Sequence, residues 1–428
     1  MVSDAVKVTA AATIGTTVDF FDLYIAGFAA AIAWPTAFFP QSDAVVAAAG
    51  AMSAYGATYL MRPLGAFLFG HVGDRVGRKS SLVWSLVIMG VGVLGVAVMP
   101  TYATIGIWAP ALVVVFRLLQ GLGLGGEYGG AVSWIAEFAA KSKWRTFWTS
   151  WMHGAGILGT LLSSLAFWIV GSYMSNADLV SYGWRIVFLF GTGVVVIAAV
   201  IRVKTSESPL FQEAMKKKKL AKLPAVEVLK CQWKKILLLM MAVGPPNTVI
   251  GFIISPFSVQ YLTALKVDPV TVAFYLTLAA IPMLIMHEVF GVISSMIRKK
   301  RILLMLGSTV FILIIYPYFY LLGTKSAALI LLGLILIEVV PRFGASPIAA
   351  IISDNFETKY RASGTGLVNS FSSLESGLIV SFVLPPMIVF AGGVIGAVPY
   401  VAALWILVMC VPSILSASRL KDIQELSD

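Results

Sequence analysis

Along the chain, apolar stretches of roughly 20 residues alternate with short polar turns, and that length suits a helix rising 1.5 Å per residue across about 30 Å of hydrocarbon. The pattern predicts twelve such spans, at 11–35, 50–70, 82–100, 104–130, 147–172, 184–202, 235–262, 270–293, 302–322, 326–352, 363–390 and 394–417. The longest polar stretch, 203–234, divides them into two sets of six. The expected fold is therefore an all-α integral membrane protein of twelve transmembrane helices in two six-helix bundles, 1–202 and 235–428, joined by a linker at 203–234. The first apolar segment is too long for a signal-peptide core and lacks a small-residue cleavage site before a soluble domain, so it is expected to remain as a span.

Composition supports a bilayer as the solvent: 59% of the 428 residues are hydrophobic, 12% are charged, and the mean hydropathy is +0.91. A net charge of +11 raises the question of nucleic acid, which the distribution of the basic residues answers. Threading twelve spans with both ends on one side puts 25 of the 31 Lys and Arg there, including Lys216 to Lys219 and the run at 298–301. The positive-inside rule places that side, with both termini, in the cytoplasm of a multi-pass cell-membrane protein. The basic runs thus read as topology signals, and no nucleic-acid partner is expected. Cys231 and Cys410 are the only cysteines, too few for a disulfide framework or a metal site. No cofactor is expected, and the chain is expected to act as a monomer.

The two halves repeat each other. Arg145, after span four, and Arg361, after span ten, lie 216 residues apart, and Glu137 and Glu357 in the same loops lie 220 apart. Duplication of a six-helix unit is usual in transporters. The loop "GHVGDRVGRKSS" at 70–81 packs Gly70, Asp74, Arg75, Gly77, Arg78 and Lys79 between spans two and three, and the second-half counterpart has Ser295 in place of the acid. On its own this is a basic, tightly turning loop. Its order of glycine, acid and bases nevertheless resembles the loop signature of the major facilitator superfamily. With "VDFFDLYIAGF", "RPLGAFLFGHVGDRVGRK", "RLLQGLGLGGEYGGA", "YGWRIVFLFG" and "ESPLF", the first half resembles the metabolite:proton symporter branch, related to the sugar porters. The resemblance implies two six-helix bundles that give alternating access to a central site, and a conformational role for the 70–79 loop.

Three matches to G-x-G-x-x-G, at 90–95, 121–126 and 154–159, fall inside apolar spans with no strand before them, so none predicts a dinucleotide site. Gly121, Gly125 and Gly129 instead repeat every fourth residue, placing bare backbone on one helix face for close packing.

An ionisable residue at the centre of a span costs about 2.5–3.5 kcal/mol, and persists where it is paired, protonated or wet. Asp22 lies about 16 Å into span one at 1.5 Å per residue, and Arg117 and Arg62 reach comparable depth in spans four and two. Burial alone favours the neutral acid, whereas a neighbouring guanidinium favours the carboxylate. That opposition makes a switch: Asp22 stays ionised against Arg117 and binds a proton when the pair opens. The membrane potential supplies about 2.3 kcal/mol per charge per 100 mV to such a step. The resemblance gives the same assignment, because sugar porters couple protons through an Asp of helix one and an Arg of helix four, the positions of Asp22 and Arg117. It also places Asp19 where the symporter branch carries an acid, and Glu127 at a family position. The competing reading is a static ion pair holding the bundle together.

Other polar groups extend the candidate site. Glu375 in span eleven is a second proton site or a substrate contact. Glu338 and Arg342 are one turn apart in span ten and can pair within their own helix, either as a structural brace or beside substrate. By resemblance His153 takes the place of a substrate-binding glutamine; a packing histidine is the alternative. Asn247 and Gln260 in span seven, with Arg62, complete the expected substrate contacts, and Pro245 and Pro246 should break the helix before Asn247. His287 and Glu288 lack the second histidine of a zinc motif. The function read from these features is secondary active transport: proton-coupled symport of a small organic metabolite, a carboxylate, by alternating access. A sugar symporter, a facilitator, a proton-driven exporter and a membrane sensor are the alternatives, and no catalytic constellation points to an enzyme.

Overall fold

A computed structural model describes residues 2–75, 78–140, 142–204, 224–246, 258–357, 360–378, 382–383, 386–387, 390 and 393–422, and among these residues there is no strand. Helices α1 (Val2–Ile32), α2 (Ala44–Arg75) and α3 (Arg78–Val98) form the first three spans. Span four is two helices, α4 (Trp108–Gly125) and α5 (Tyr128–Phe138), meeting at Gly126 and Glu127; α6 (Arg145–Ser172) and α7 (Trp184–Lys204) complete the first bundle. The second comprises α8 (Pro224–Gly244), α9 (Ser258–Ala264), α10 (Pro269–Met296), α11 (Lys300–Gly323), α12 (Ala327–Val339), α13 (Arg342–Ala345), α14 (Ile348–Asp354), α15 (Arg361–Leu378) and α16 (Val394–Ser418). Helix α8 starts within the stretch expected as linker, and ends directly before Pro245 and Pro246, where the prolines remove backbone donors.

Among the described residues, nine helical stretches are long and apolar enough to cross a membrane, and Val83–Val98 is a shorter apolar helix. Spans seven and eleven include residues outside the description. The expected fold of two six-helix bundles is the one observed. Large apolar side chains such as Leu404, Leu407, Val411 and Leu415 of α16 remain exposed on the outer surface. A surface this apolar is suited to lipid.

Span four is central because its glycines let other helices approach. A Cβ at Gly121 would fall on the Thr58 carbonyl of α2, and one at Gly125 on the Arg62 carbonyl. One at Gly129 would lie 2.7 Å from the Gly366 Cα of α15, so the third glycine admits a helix of the other bundle. The predicted small-residue face is therefore split between packing within the first bundle and packing across to the second.

The bundles meet along two seams, α6 against α10 and α2 against α15, which are equivalent pairs under the internal repeat. The first seam is antiparallel and tied along its length. The Phe147 amide donates to Ser295 Oγ at 3.0 Å, the Thr277 and Ser164 hydroxyls are hydrogen-bonded at 3.0 Å, and Asn176 Nδ2 donates to Asp268 Oδ1 at 2.6 Å.

Gly121→Val should force α2 away from α4, an overpacking that costs about 1–3 kcal/mol. The thermal midpoint of the purified protein should fall measurably, whereas Gly193→Ala, where an added Cβ meets nothing within 4 Å inside α7, should not lower it.

Candidate functional site

Helices α1 and α4 bring Asp22 and Arg117 together in the interior of the first bundle, and both are 0% exposed. Arg117 Nη1 lies 3.8 Å from Asp22 Oδ2. Between them stands Gln120, one turn along α4 from the arginine. Arg117 Nη1 donates to Gln120 Oε1, and Gln120 Nε2 donates to Asp22 Oδ1 at 3.5 Å. Arg117 Nη2 also donates to the Tyr55 carbonyl at 3.4 Å, and its guanidinium lies 5.4 Å from the Tyr55 ring centroid. The contact is a loose, glutamine-bridged pair instead of a bidentate clamp. Asp22 Oδ2 and Arg117 Nε have no hydrogen-bond partner, so part of the pair's bonding capacity is unused.

One turn before Asp22, Asp19 of α1 is 4% exposed and acts electrostatically on Arg62 of α2, which is likewise 4% exposed. The Arg62 guanidinium lies 5.8 Å from the Tyr59 ring centroid, and Arg62 Nε has no hydrogen-bond partner. Tyr55 and Tyr59 join their hydroxyls at 3.1 Å. Tyr24 of α1 is buried, and Arg62 from the first bundle and Arg342 and Glu338 from the second act on it electrostatically. Charges of both bundles thus converge on one phenol.

In the second bundle, Arg342 Nη2 pairs with Glu338 Oε2 at 2.9 Å, and Arg342 Nε donates to the Glu338 carbonyl at 3.1 Å. The helix breaks between them, and this wraps the arginine back over the end of α12. His153 lies edge-on to Tyr128, with ring centroids 6.0 Å apart, and 6.3 Å from His287 of α10. Glu127 is 2% exposed at the turn joining α4 and α5, not inside a continuous helix. Gln260 is buried in α9, which packs against α1, α10 and α16. Glu375 Oε2 is buried without a hydrogen-bond partner, 3.2 Å from where a Gly244 Cβ would stand. Asn247 and Gly77 lie outside the described residues, as do the side chains of Asp74, Arg75, Arg78 and Lys79; a Cβ on Gly70 would meet nothing within 4 Å.

At the end of the bundles that carries the basic residues, ion pairs cross from half to half. Arg145 Nη2 meets Asp354 Oδ2 at 2.6 Å, with Lys300 Nζ on the same oxygen at 3.3 Å. Arg361 Nη1 meets Glu137 Oε1 at 3.8 Å. The repeated arginines are therefore equivalent in space, each opening a helix and reaching across to the other bundle. The acid paired by the repeat is a correction to the sequence reading: Asp354, 217 residues beyond Glu137, takes the equivalent position, while Glu357 is exposed.

Sequence reasoning missed Gln120, Tyr24, Tyr55 and Tyr59. Gln120 could have been found as an amide three residues from a buried arginine. The tyrosines gave no such signal, because apolar spans tolerate them on any face.

The model of the Major Facilitator Superfamily matches residues 12–380. The chain is 31% identical over 386 residues to the Inner membrane metabolite transport protein YhjE of Escherichia coli (strain K12), with 88% of this chain and 86% of that one covered. It is 29% identical over 392 residues to the Proline/betaine transporter of the same organism, covering 87% and 76%. It is 28% identical over 420 residues to the Shikimate transporter of that strain, covering 96% and 93%. In three dimensions it is similar to the crystal structure of a D-xylose-proton symporter, with a TM-score of 0.72 over 98% of both chains at 16% identity, a likeness of fold.

Asp354→Asn should leave Arg145 and Lys300 facing each other without an acid, a loss typically costing about 3–5 kcal/mol for a buried pair. Amide hydrogen exchange in 145–150 and 348–354, the segments this cluster joins, should accelerate by at least about tenfold, a factor equivalent to 1.4 kcal/mol; unchanged exchange would mean that this cluster does not hold the bundles together.

Proposed function

The chain belongs to the Major Facilitator Superfamily, and from that premise we propose that it is a proton-coupled symporter of a small carboxylate-bearing metabolite. The observation that carries the reading is the fully buried, glutamine-bridged contact of Asp22 with Arg117. A carboxylate there is tolerable while the guanidinium faces it. Once Arg117 is drawn toward another acceptor, the same carboxyl is stable only with a proton. The proton is the coupled ion, and the membrane potential acts on its charge.

The solute is assigned to the interface between the bundles, where Arg62 and Arg342 both act electrostatically on Tyr24. A carboxylate can accept from a guanidinium and a phenol together, and charge-assisted bonds of this kind are the stronger class. The relatives named for proline, betaine and shikimate transport each carry a solute with a carboxylate, which supports the class. Glu338 holds Arg342 in place and offers an anionic edge to a solute that also bears a cation. His153, Gln260, Glu375 and Asn247 remain candidates for solute contacts at the same interface.

Alternating access follows from the two seams. With the basic end in the cytoplasm, and both termini there, Arg145–Asp354 and Arg361–Glu137 form the inner gate, closed in this conformation. The two bundles, 1–202 and 235–428 with the connecting stretch between them, rock about the seams in a monomer to open it, and the 70–79 loop takes part in that movement.

Liposomes containing the protein, given an inward proton gradient and offered organic acids, zwitterions and sugars, should accumulate a carboxylate solute. Asp22→Asn should abolish uphill accumulation by at least about tenfold while exchange of solute down its own gradient persists, and Arg117→Ala should do likewise. Uphill accumulation by Asp22→Asn would reduce the pair to a brace, and accumulation of sugars alone would reassign the solute.

A further inference from the structure

The seam between α6 and α10 contains a carboxyl that the Asp22 pair does not use. Glu288 of α10 is 9% exposed, and its Oε2 lies 2.7 Å from the hydroxyl of Ser150 on α6. Its Oε1 has no hydrogen-bond partner and faces the bare backbone of Gly154, where an added Cβ would stand 2.5 Å away. His287 lies beside it in the chain, with Nε2 at 3.2 Å from the Ser150 carbonyl. Two successive residues of one bundle therefore close on a single residue of the other.

Ser150 bears on the protonation of Glu288. Its Oγ is 2.8 Å from the Phe147 carbonyl as well as 2.7 Å from Glu288. A hydroxyl has one hydrogen and cannot donate to two acceptors. A proton on Glu288 satisfies both contacts at once: the hydroxyl donates to the carbonyl and accepts from the acid.

The surrounding charges agree. The elements packed against α10 carry Arg145 and His153 on α6, Glu338 on α12, Arg342 on α13 and Tyr261 on α9. Arg145 is paired with Asp354 and Arg342 with Glu338. Among the described residues, no cation lies within ion-pair distance of Glu288. An isolated carboxylate in such a seam is far costlier to bury than the neutral acid.

We propose that Glu288 is a second proton-carrying carboxyl, loaded while the seam between the bundles is closed and emptied when the Arg145–Asp354 gate opens. Ser150 is five residues along α6 from Arg145, about 7.5 Å at 1.5 Å per residue, so separation of the gate exposes Glu288 to water first. The proton then leaves to the basic side. The role in transport rests on the proton-coupled reading above; the proton on Glu288 stands on the seam's geometry alone.

The test is infrared spectroscopy of the purified full-length protein in lipid, with no solute present, following the C=O stretch of protonated carboxyls through a pH titration. At neutral pH the difference between wild type and Glu288→Gln should contain a protonated-carboxyl absorption. Asp22→Asn should retain that absorption, Ser150→Ala should shift its frequency through loss of the acceptor, and Asp354→Asn should make it vanish at lower pH than in wild type. An absent absorption, one unaltered by Glu288→Gln, or one indifferent to both Ser150→Ala and Asp354→Asn would overturn the proposal. If Glu288→Gln does not fold, the Ser150→Ala shift decides alone. Accumulation by Asp22→Asn liposomes would defeat the coupling role of Asp22 and leave this absorption in place, so the two failures are distinguishable.

Discussion

A carboxylate and a guanidinium enclosed where neither can reach water depend on each other for their charges. Asp22 and Arg117 stand in that relation, and the rest of the first bundle maintains it. Gly121 and Gly125 bring α2 against α4, which places the Tyr55 carbonyl and ring beside the arginine. Gln120 adds a hydrogen-bonded bridge beside the direct 3.8 Å contact, accepting from Arg117 and donating to Asp22. The looseness of the pair has a consequence: a bidentate contact would hold both charges in every conformation, whereas a bridged contact can be exchanged for a proton with modest rearrangement.

The repeat gives the second half the same scaffold with different chemistry. Span ten breaks near the place equivalent to the break in span four, yet its acid and base, Glu338 and Arg342, pair with each other across that break within one span. The gate arginines, in contrast, retain their symmetry, because closure requires each bundle to hold the other. The two kinds of ion pair are thus distributed differently: Asp22 and Arg117 lie inside one bundle, and Arg145–Asp354 and Arg361–Glu137 lie between the two. Under the proposed function, Tyr24, Arg62 and Arg342 would connect these tasks, since a solute bridging them would touch both halves at once.

Much of this was legible in the sequence for a physical reason. Hydrocarbon thickness fixes helix length, so span count and the division at the polar stretch follow from hydropathy alone. The expense of intramembrane charge likewise singled out Asp22, Arg117, Glu338 and Arg342 before any geometry was known. What hydropathy could not convey was direction around a helix. Gln120 and the tyrosines look unremarkable in a linear profile, and their importance depends on which face meets α1 or α2. The breaks at Gly126 and Pro341 were hidden because an apolar composition continues through them. Asp354 was passed over for Glu357 because residue type matched better than position, whereas the fold preserves position.

The most direct test is the proton movement that accompanies solute entry. In a weakly buffered suspension of liposomes with no imposed gradient, adding the transported carboxylate outside should make the external medium more alkaline, as protons enter with it. In the Asp22→Asn protein, solute should still equilibrate across the membrane with no alkalinisation. Alkalinisation of wild-type extent in that variant would show that the proton travels by a route independent of the buried pair.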